Sequence, residues 1–210
     1  MKHGLLAVLL CACQADPHPP HIILVSIDPL RADRVGRLGP DGRSITPNLD
    51  ALAAQGLRLQ NVYSTSNESL YSHAAMFTGQ LPSEIGTMDY RTFQIPQGMP
   101  TLASTLSSAG YRTQAVVGGG HLSAQFGLSE GFDEYQVGDH FSGFQQTIPM
   151  AIEQLQEAED GPSFLFVHGY DCHTPYIKPG PAGRIFSPDY SGPLLDVVRS
   201  PIIYEQITGD

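Results

Sequence analysis

Three short apolar runs limit how this chain can fold. HIILVSID (His21–Asp28), RTQAVVGGG (Arg112–Gly120) and SFLFVHGYD (Ser163–Asp171) are rich in β-branched, aromatic and small residues. The first and third read as strands buried on both faces, and the first is expected to be a central parallel strand. The second is a strand that runs into glycines. Helix signals lie between them. Thr46-Pro47-Asn48 offers an N-cap followed by Pro at the first helical position, Leu49, Leu52 and Ala53 share a face, and Gly56 marks a stop. TLASTLSSAG (Thr101–Gly110) is a second short helix ending in Gly. Ile148, Ala151, Ile152, Leu155 and Ala158 recur at helical spacing behind Thr147 as a cap. Strand and helix in alternation predict an α/β fold, a mostly parallel central sheet flanked by helices.

The chain has 210 residues, 41% apolar and only 15% charged, which is enough for a sizeable buried core. Its formal net charge of -10, with no Lys/Arg cluster to offset it, argues against nucleic acid as the main partner. An anionic substrate would need local help from a metal, a helix N-terminus or a few placed basic groups.

Residues 1–20 read as a targeting segment and short stiff linker. MKHGLLAVLLCACQAD has a basic start, an apolar stretch from Leu5 to Leu10 too short to span a bilayer, and small residues before Cys13. Leu10-Cys11-Ala12-Cys13 resembles the lipobox of bacterial lipoproteins, which implies export and a membrane anchor through a lipidated Cys13 in the cell envelope. An ordinary secretory signal cut nearby is the alternative, and both export the chain. Either way Cys172 is then the one thiol left, so no intramolecular disulfide is expected.

In open α/β sheets ligands bind beyond the carboxyl ends of the strands. Here the runs end at Asp28, at His121 after three glycines, and at Asp171 and His173. Each alone is more often a turn, a cap or a satisfied imidazole. Converging, they point to a metal or oxyanion site. SNESLYSHAAMFTG (Ser66–Gly79) adds Ser69 at the start of a helix, where free N–H groups favour an anion, and His73 one turn later on the same face. Ser69 is either a nucleophile there or an ordinary helix-start serine, with Ser66 and Asn67 as competing caps.

At these residues the chain resembles the sulfatase family of the alkaline-phosphatase superfamily. VSIDPLRADRVG, TPNLDALAAQGLRLQNVYS, SLYSHAAMFTGQLPSEIG, AGYRTQAVVGGGHLSAQFGLSEGFDEY and FLFVHGYDCHTPY are each similar to a family segment, covering nearly all of residues 21–180. The resemblance implies a hydrolase of sulfuric or phosphoric esters, acting on a small molecule or a glycan. Asp28 would be a metal ligand. Ser69 would fall on the position that true sulfatases oxidise to formylglycine, where it also contacts the metal. His121 and His173 would hold the ester or protonate its leaving group. The implied cofactor is a divalent metal, Ca²⁺ by family analogy, with Mn²⁺ or Zn²⁺ as alternatives.

Four positions depart from the family pattern. Tyr71 stands for proline and His73 for arginine, which weighs against formylglycine at Ser69 and leaves a plain hydroxyl beside a catalytic His73. Superfamily phosphatases and phosphotransferases use such a hydroxyl directly. Gly119 stands for a basic residue and Cys172 for proline. The family's second acidic pair and late lysine are not found before Thr208-Gly209-Asp210, so residues 21–210 are expected to be the N-terminal portion of a sulfatase-like domain. A truncated non-catalytic relic and a phosphoryl or head-group transferase are the alternatives.

Overall fold

The structure, a computed structural model, describes residues 19–39, 41–156 and 161–173. The targeting segment, with Cys13, and Ala158 lie outside them. Four strands form one sheet: β1 (Ile22–Ile27), β2 (Arg112–Val117), β3 (Glu134–Val137) and β4 (Ser163–Gly169). Their order is β1-β4-β2-β3, and every neighbouring pair is parallel. All four carboxyl ends therefore emerge on the same side, as a site at the strand ends requires.

Two helical layers cover the sheet. On one face, α2 (Ser69–Thr78) and α4 (Leu102–Ser108) pack Leu70, Ala74, Phe77 and Ala103 onto Ala115, Val117, Phe164 and Phe166. On the other, α5 (Phe144–Gln156) lays Ala151 over Val116, Leu165 and Val167. The short helices α1 (Pro47–Gln55) and α3 (Pro82–Ile85) flank α2 in sequence. Because β4 is sandwiched by both layers and by strands on both sides, all seven of its residues are buried.

Among the described residues the interior strands are β4 and β2, and β1, expected to be central, is not one of them. β1 is the sheet edge among the described residues, with Ile22 and Leu24 turned toward the α2 layer and Ile23 and Val25 still 56% and 50% exposed. An apolar run reports that a strand can be buried on both faces, but its place in the sheet depends on what lies over it. A second exposed apolar stretch follows α1, where Leu57, Leu59, Val62 and Tyr63 are open to solvent.

The helix boundaries show the same division. Thr101 caps α4 as its sequence suggests, accepting from the Ser104 N–H at 3.0 Å. Thr46 occupies the N-cap position of α1 without bonding its backbone, and Leu52 is exposed. Helix α5 begins three residues before Thr147, which is buried inside the helix rather than capping it. The Asp171 carboxylate, arriving from the end of β4, accepts from the Phe144 N–H at 2.6 Å and takes the capping role. Consequently Thr147, Ala151 and Gln154 face the sheet, while Ile148, Ile152 and Leu155 sit half-exposed one step around the helix. No helix among the described residues is long and apolar enough to cross a membrane.

Candidate active site

The end of β1 delivers Asp28 directly. Its N–H donates to the Gly169 carbonyl at 3.0 Å, which holds the last turn of the chain against β4. Ser69 is the first residue of α2, behind Glu68 as a side-chain-silent N-cap. The Ser66 hydroxyl accepts from the Glu68 N–H at 3.1 Å, so the turn ahead of the helix is closed without Ser69. The Ser69 hydroxyl is left out of capping. Helix α2 ends at Gly79, whose φ of 69° is the left-handed stop that glycine supplies without strain.

Asp28, Ser69 and His73 line one groove of about 750 Å³, with Ser26 and the segment Val62–Glu68. His73 is buried and held at both ring nitrogens. Nδ1 lies 2.7 Å from the Ser69 carbonyl oxygen, which can only accept, so Nδ1 carries the proton. Nε2 then bears a lone pair, and the Ser26 hydroxyl donates to it at 2.9 Å. Burial, helped by the neighbouring His168, pushes the His73 pKa down to about 4, so the ring is neutral at pH 7. An arginine here would carry a fixed positive charge. This imidazole does not.

Tyr71, the other departure in the helix, points into the core and meets Phe93 edge-on at 4.9 Å. It packs the helix and does not enter the groove.

His168 was not singled out by sequence reasoning. It sits fully buried in the middle of β4. The Gly118 N–H donates to its Nδ1 at 3.3 Å, which places the ring proton on Nε2, 3.4 Å from the Asp28 carboxylate. Burial pushes the Asp28 carboxyl up, but hydrogen bonds from His168 and Ser69 and the two imidazoles beside it outweigh this and hold it below its usual range. The signal was present in SFLFVHGYD, because an imidazole inside an otherwise apolar strand needs a polar partner.

The donor atoms of Asp28, His73 and His168 all lie within 4.8 Å of one another, a spacing that suits a single cation. Their hydrogen bonds sort them. His73 presents an unprotonated Nε2, shared with the Ser26 hydroxyl, on a ring oriented by a backbone carbonyl, the usual arrangement of a metal-binding histidine. His168 presents a proton, so it is built to hold Asp28 rather than to coordinate.

His121 stands on a 3-10 turn after β2 and opens onto a neighbouring cavity of about 500 Å³, shared with Tyr90, His140 and Phe141. Burial lowers its pKa, and His173 adds to this, while Glu68 and Asp28 pull the other way. His173 stacks on Phe141 with ring centroids 4.9 Å apart. His121 and His173 are linked through the rings of Phe141 and Tyr170. Asp171, the remaining strand-end carboxylate, is the cap of α5.

The three glycines after β2 have a steric cause. A Cβ on Gly118 would lie 2.2 Å from the Ser142 carbonyl oxygen. One on Gly119 would lie 2.9 Å from that of Asp139, at a φ of 76°. The loop after β3 presses on this turn, so a basic side chain at 119 has no room. That loop also holds Phe141 at a φ of 57°, the one non-glycine residue with positive φ among the described residues.

Residues 20–192 match the Sulfatase family. The chain belongs to the sulfatase family. It is 34% identical over 160 residues to N-acetylgalactosamine-6-sulfatase from Rattus norvegicus, covering 68% of this chain and 30% of that protein. A protein solved in complex with its substrate D-glucosamine-2-N,6-O-disulfate is 25% identical, with a TM-score of 0.62 over 75% of this chain and 35% of that one. A member of the alkaline-phosphatase superfamily from Vibrio parahaemolyticus shares the fold at 23% identity, with a TM-score of 0.60 over 80% of this chain and 44% of the other. This sulfatase-family chain therefore spans 24–30% of the length of the curated relatives it matches and 35–50% of the solved chains. The α/β fold and the family membership expected from the motifs both hold.

Proposed function

We propose that this chain is the N-terminal part of a metal-assisted hydrolase of sulfuric or phosphoric esters, with Ser69 as its nucleophile. The observation that carries the reading is the meeting of Asp28, Ser69 and His73 in one groove, at a strand end and a helix N-terminus, inside the segment that matches the family. The substrate class is an ester of a small molecule or a sulfated glycan, by likeness to relatives whose names specify sugar sulfates. Export and anchoring through Cys13 follow from the N-terminal segment.

Asp28, the Ser69 hydroxyl and His73 Nε2 would hold the cation. An imidazole among the donors favours Mn²⁺ or Zn²⁺ over Ca²⁺, which takes oxygen ligands. When bound, the cation would polarise the ester oxygens and favour ionisation of the Ser69 hydroxyl. Ser69 Oγ bonds to sulfur or phosphorus as the bond to the alcohol oxygen breaks. The Ser69 proton is lost to solvent in the groove, and His121 or His173 would hold the ester or give a proton to the departing oxygen. Water then displaces the acid group from Oγ. A buried His73 with a pKa of about 4 is a poor base at neutral pH, so its work is to hold and orient.

The test is calorimetric titration of Ca²⁺, Mn²⁺ and Zn²⁺ into the protein, its Asp28→Asn variant and its His73→Ala variant, alongside turnover of 4-nitrophenyl sulfate and phosphate. Tightest binding of Mn²⁺ or Zn²⁺, weakened at least tenfold in both variants, supports the assignment; loss of turnover in Ser69→Ala supports the nucleophile. Metal binding indifferent to Asp28 refutes the site. Turnover that survives Ser69→Ala refutes the chemistry.

A further inference from the structure

Tyr170 carries a buried hydroxyl that nothing satisfies. The residue is 4% exposed, and its Oη has no hydrogen-bond partner. A buried hydroxyl left unpaired is costly, so such groups are rare and call for a reason. The ring cannot turn away to find a partner. It is wedged between His168, Phe141 and His173, at centroid distances of 4.4, 4.9 and 5.2 Å. Its backbone N–H donates to the Ser142 carbonyl at 3.0 Å, and the bare backbone of Gly118 lies against the ring edge.

The surroundings of that oxygen identify its use. Gly120 of the triple-glycine turn approaches it, and the His121 backbone amide and the Ser69 hydroxyl lie around it, with the Asp28 charge beyond. An amide can only donate, so it faces the lone pairs of Oη and leaves the phenolic proton for another acceptor. The side-chain oxygen that interacts with Oη is Ser69 Oγ.

We propose that Tyr170 is a fixed hydrogen-bond donor to Ser69 Oγ, a positioning residue that engages when negative charge builds on that oxygen. In the resting protein the contact between the two oxygens falls short of full hydrogen-bond geometry. Donors of this kind commonly tighten only when the reacting complex assembles. The proposal rests on the reading of Ser69 as nucleophile and adds a residue to it. No proton is transferred: the phenol stays neutral and stabilises an Oγ that bears charge before it bonds to sulfur or phosphorus, and again when water releases it.

The experiment compares the protein with its Tyr170→Phe and Ser69→Ala variants, using orthovanadate as the anion and 4-nitrophenyl esters as substrates. Tyr170→Phe should bind orthovanadate roughly 10- to 100-fold more weakly, the range for a hydrogen bond to a charged oxygen. It should lose kcat in the same proportion, with KM within about twofold. Its thermal midpoint should be unchanged or higher, because the oxygen removed had no partner. If Ser69→Ala abolishes orthovanadate binding and Tyr170→Phe binds as the parent does, this inference falls and the Ser69 reading stands. If the parent binds no orthovanadate, or Ser69→Ala binds equally well, both fall. A thermal midpoint clearly below the parent's in Tyr170→Phe would show that the hydroxyl is satisfied after all, and overturns the inference.

Discussion

Phe141 offers the sharpest test of how the loop after β3 supports the two histidines. Its φ of 57° puts an L-residue in the left-handed region, where Cβ crowds the backbone at about 1–2 kcal/mol. The ring repays this by packing against His140, Tyr170 and His173 at 4.3, 4.9 and 4.9 Å, and against His121 at 6.0 Å. Truncating a fully buried Phe to Ala costs about 3–5 kcal/mol. This ring is only partly buried, so Phe141→Ala should cost roughly 2 kcal/mol, lowering the thermal midpoint by about 4–8 °C for a protein of this size. Phe141→Gly loses the same ring but relieves the strain, and should recover about 1 kcal/mol of that. The order is the reverse of the usual one, in which Gly is less stable than Ala by about 0.5–1 kcal/mol. Urea unfolding followed by circular dichroism measures it. An Ala variant equal to or more stable than the Gly variant would refute the strain, and with it the claim that this backbone is forced in order to place the ring.

Two further outcomes follow from single contacts. Asp171→Ala removes the carboxylate that accepts from the Phe144 N–H, and should cost about 1–2 kcal/mol in denaturant unfolding while Asp171→Asn costs less; loss of activity at full stability would instead make Asp171 part of the site. His73 has its pKa depressed to about 4, so its neutral form stabilises the fold above pH 6.5 and that contribution is lost as pH falls toward 4; with chelator present, His73→Gln should flatten this acid limb, and an unchanged limb would contradict the burial of His73 as a neutral ring.

Much of the fold could be read from periodicity. The three apolar runs are strands, Thr101 caps its helix, and the glycines after Val117 mark a turn against another backbone. These features are local, because propensity, capping and sterics act over a few residues. That Asp28 ends a strand while Ser69 and His73 lie on the first turns of a helix was also legible, since strand ends and helix starts put side chains at one edge of a parallel sheet. The resemblance to a family then suggested roles that spacing alone left open.

What the linear order could not convey was contact between distant segments. Asp171 and Phe144 are 27 positions apart, so a strand-end carboxylate that looks catalytic turns out to cap α5. Ser26 meets His73 across 47 positions and Gly118 meets His168 across 50, and these bonds decide which nitrogen of each ring carries the proton. A sequence determines which residues can donate, accept or pack, because that is intrinsic to each side chain. Which partner each one meets, how much water is excluded around it, and whether a hydroxyl such as that of Tyr170 is left unpaired depend on the folded surroundings. Only the tertiary structure decides them.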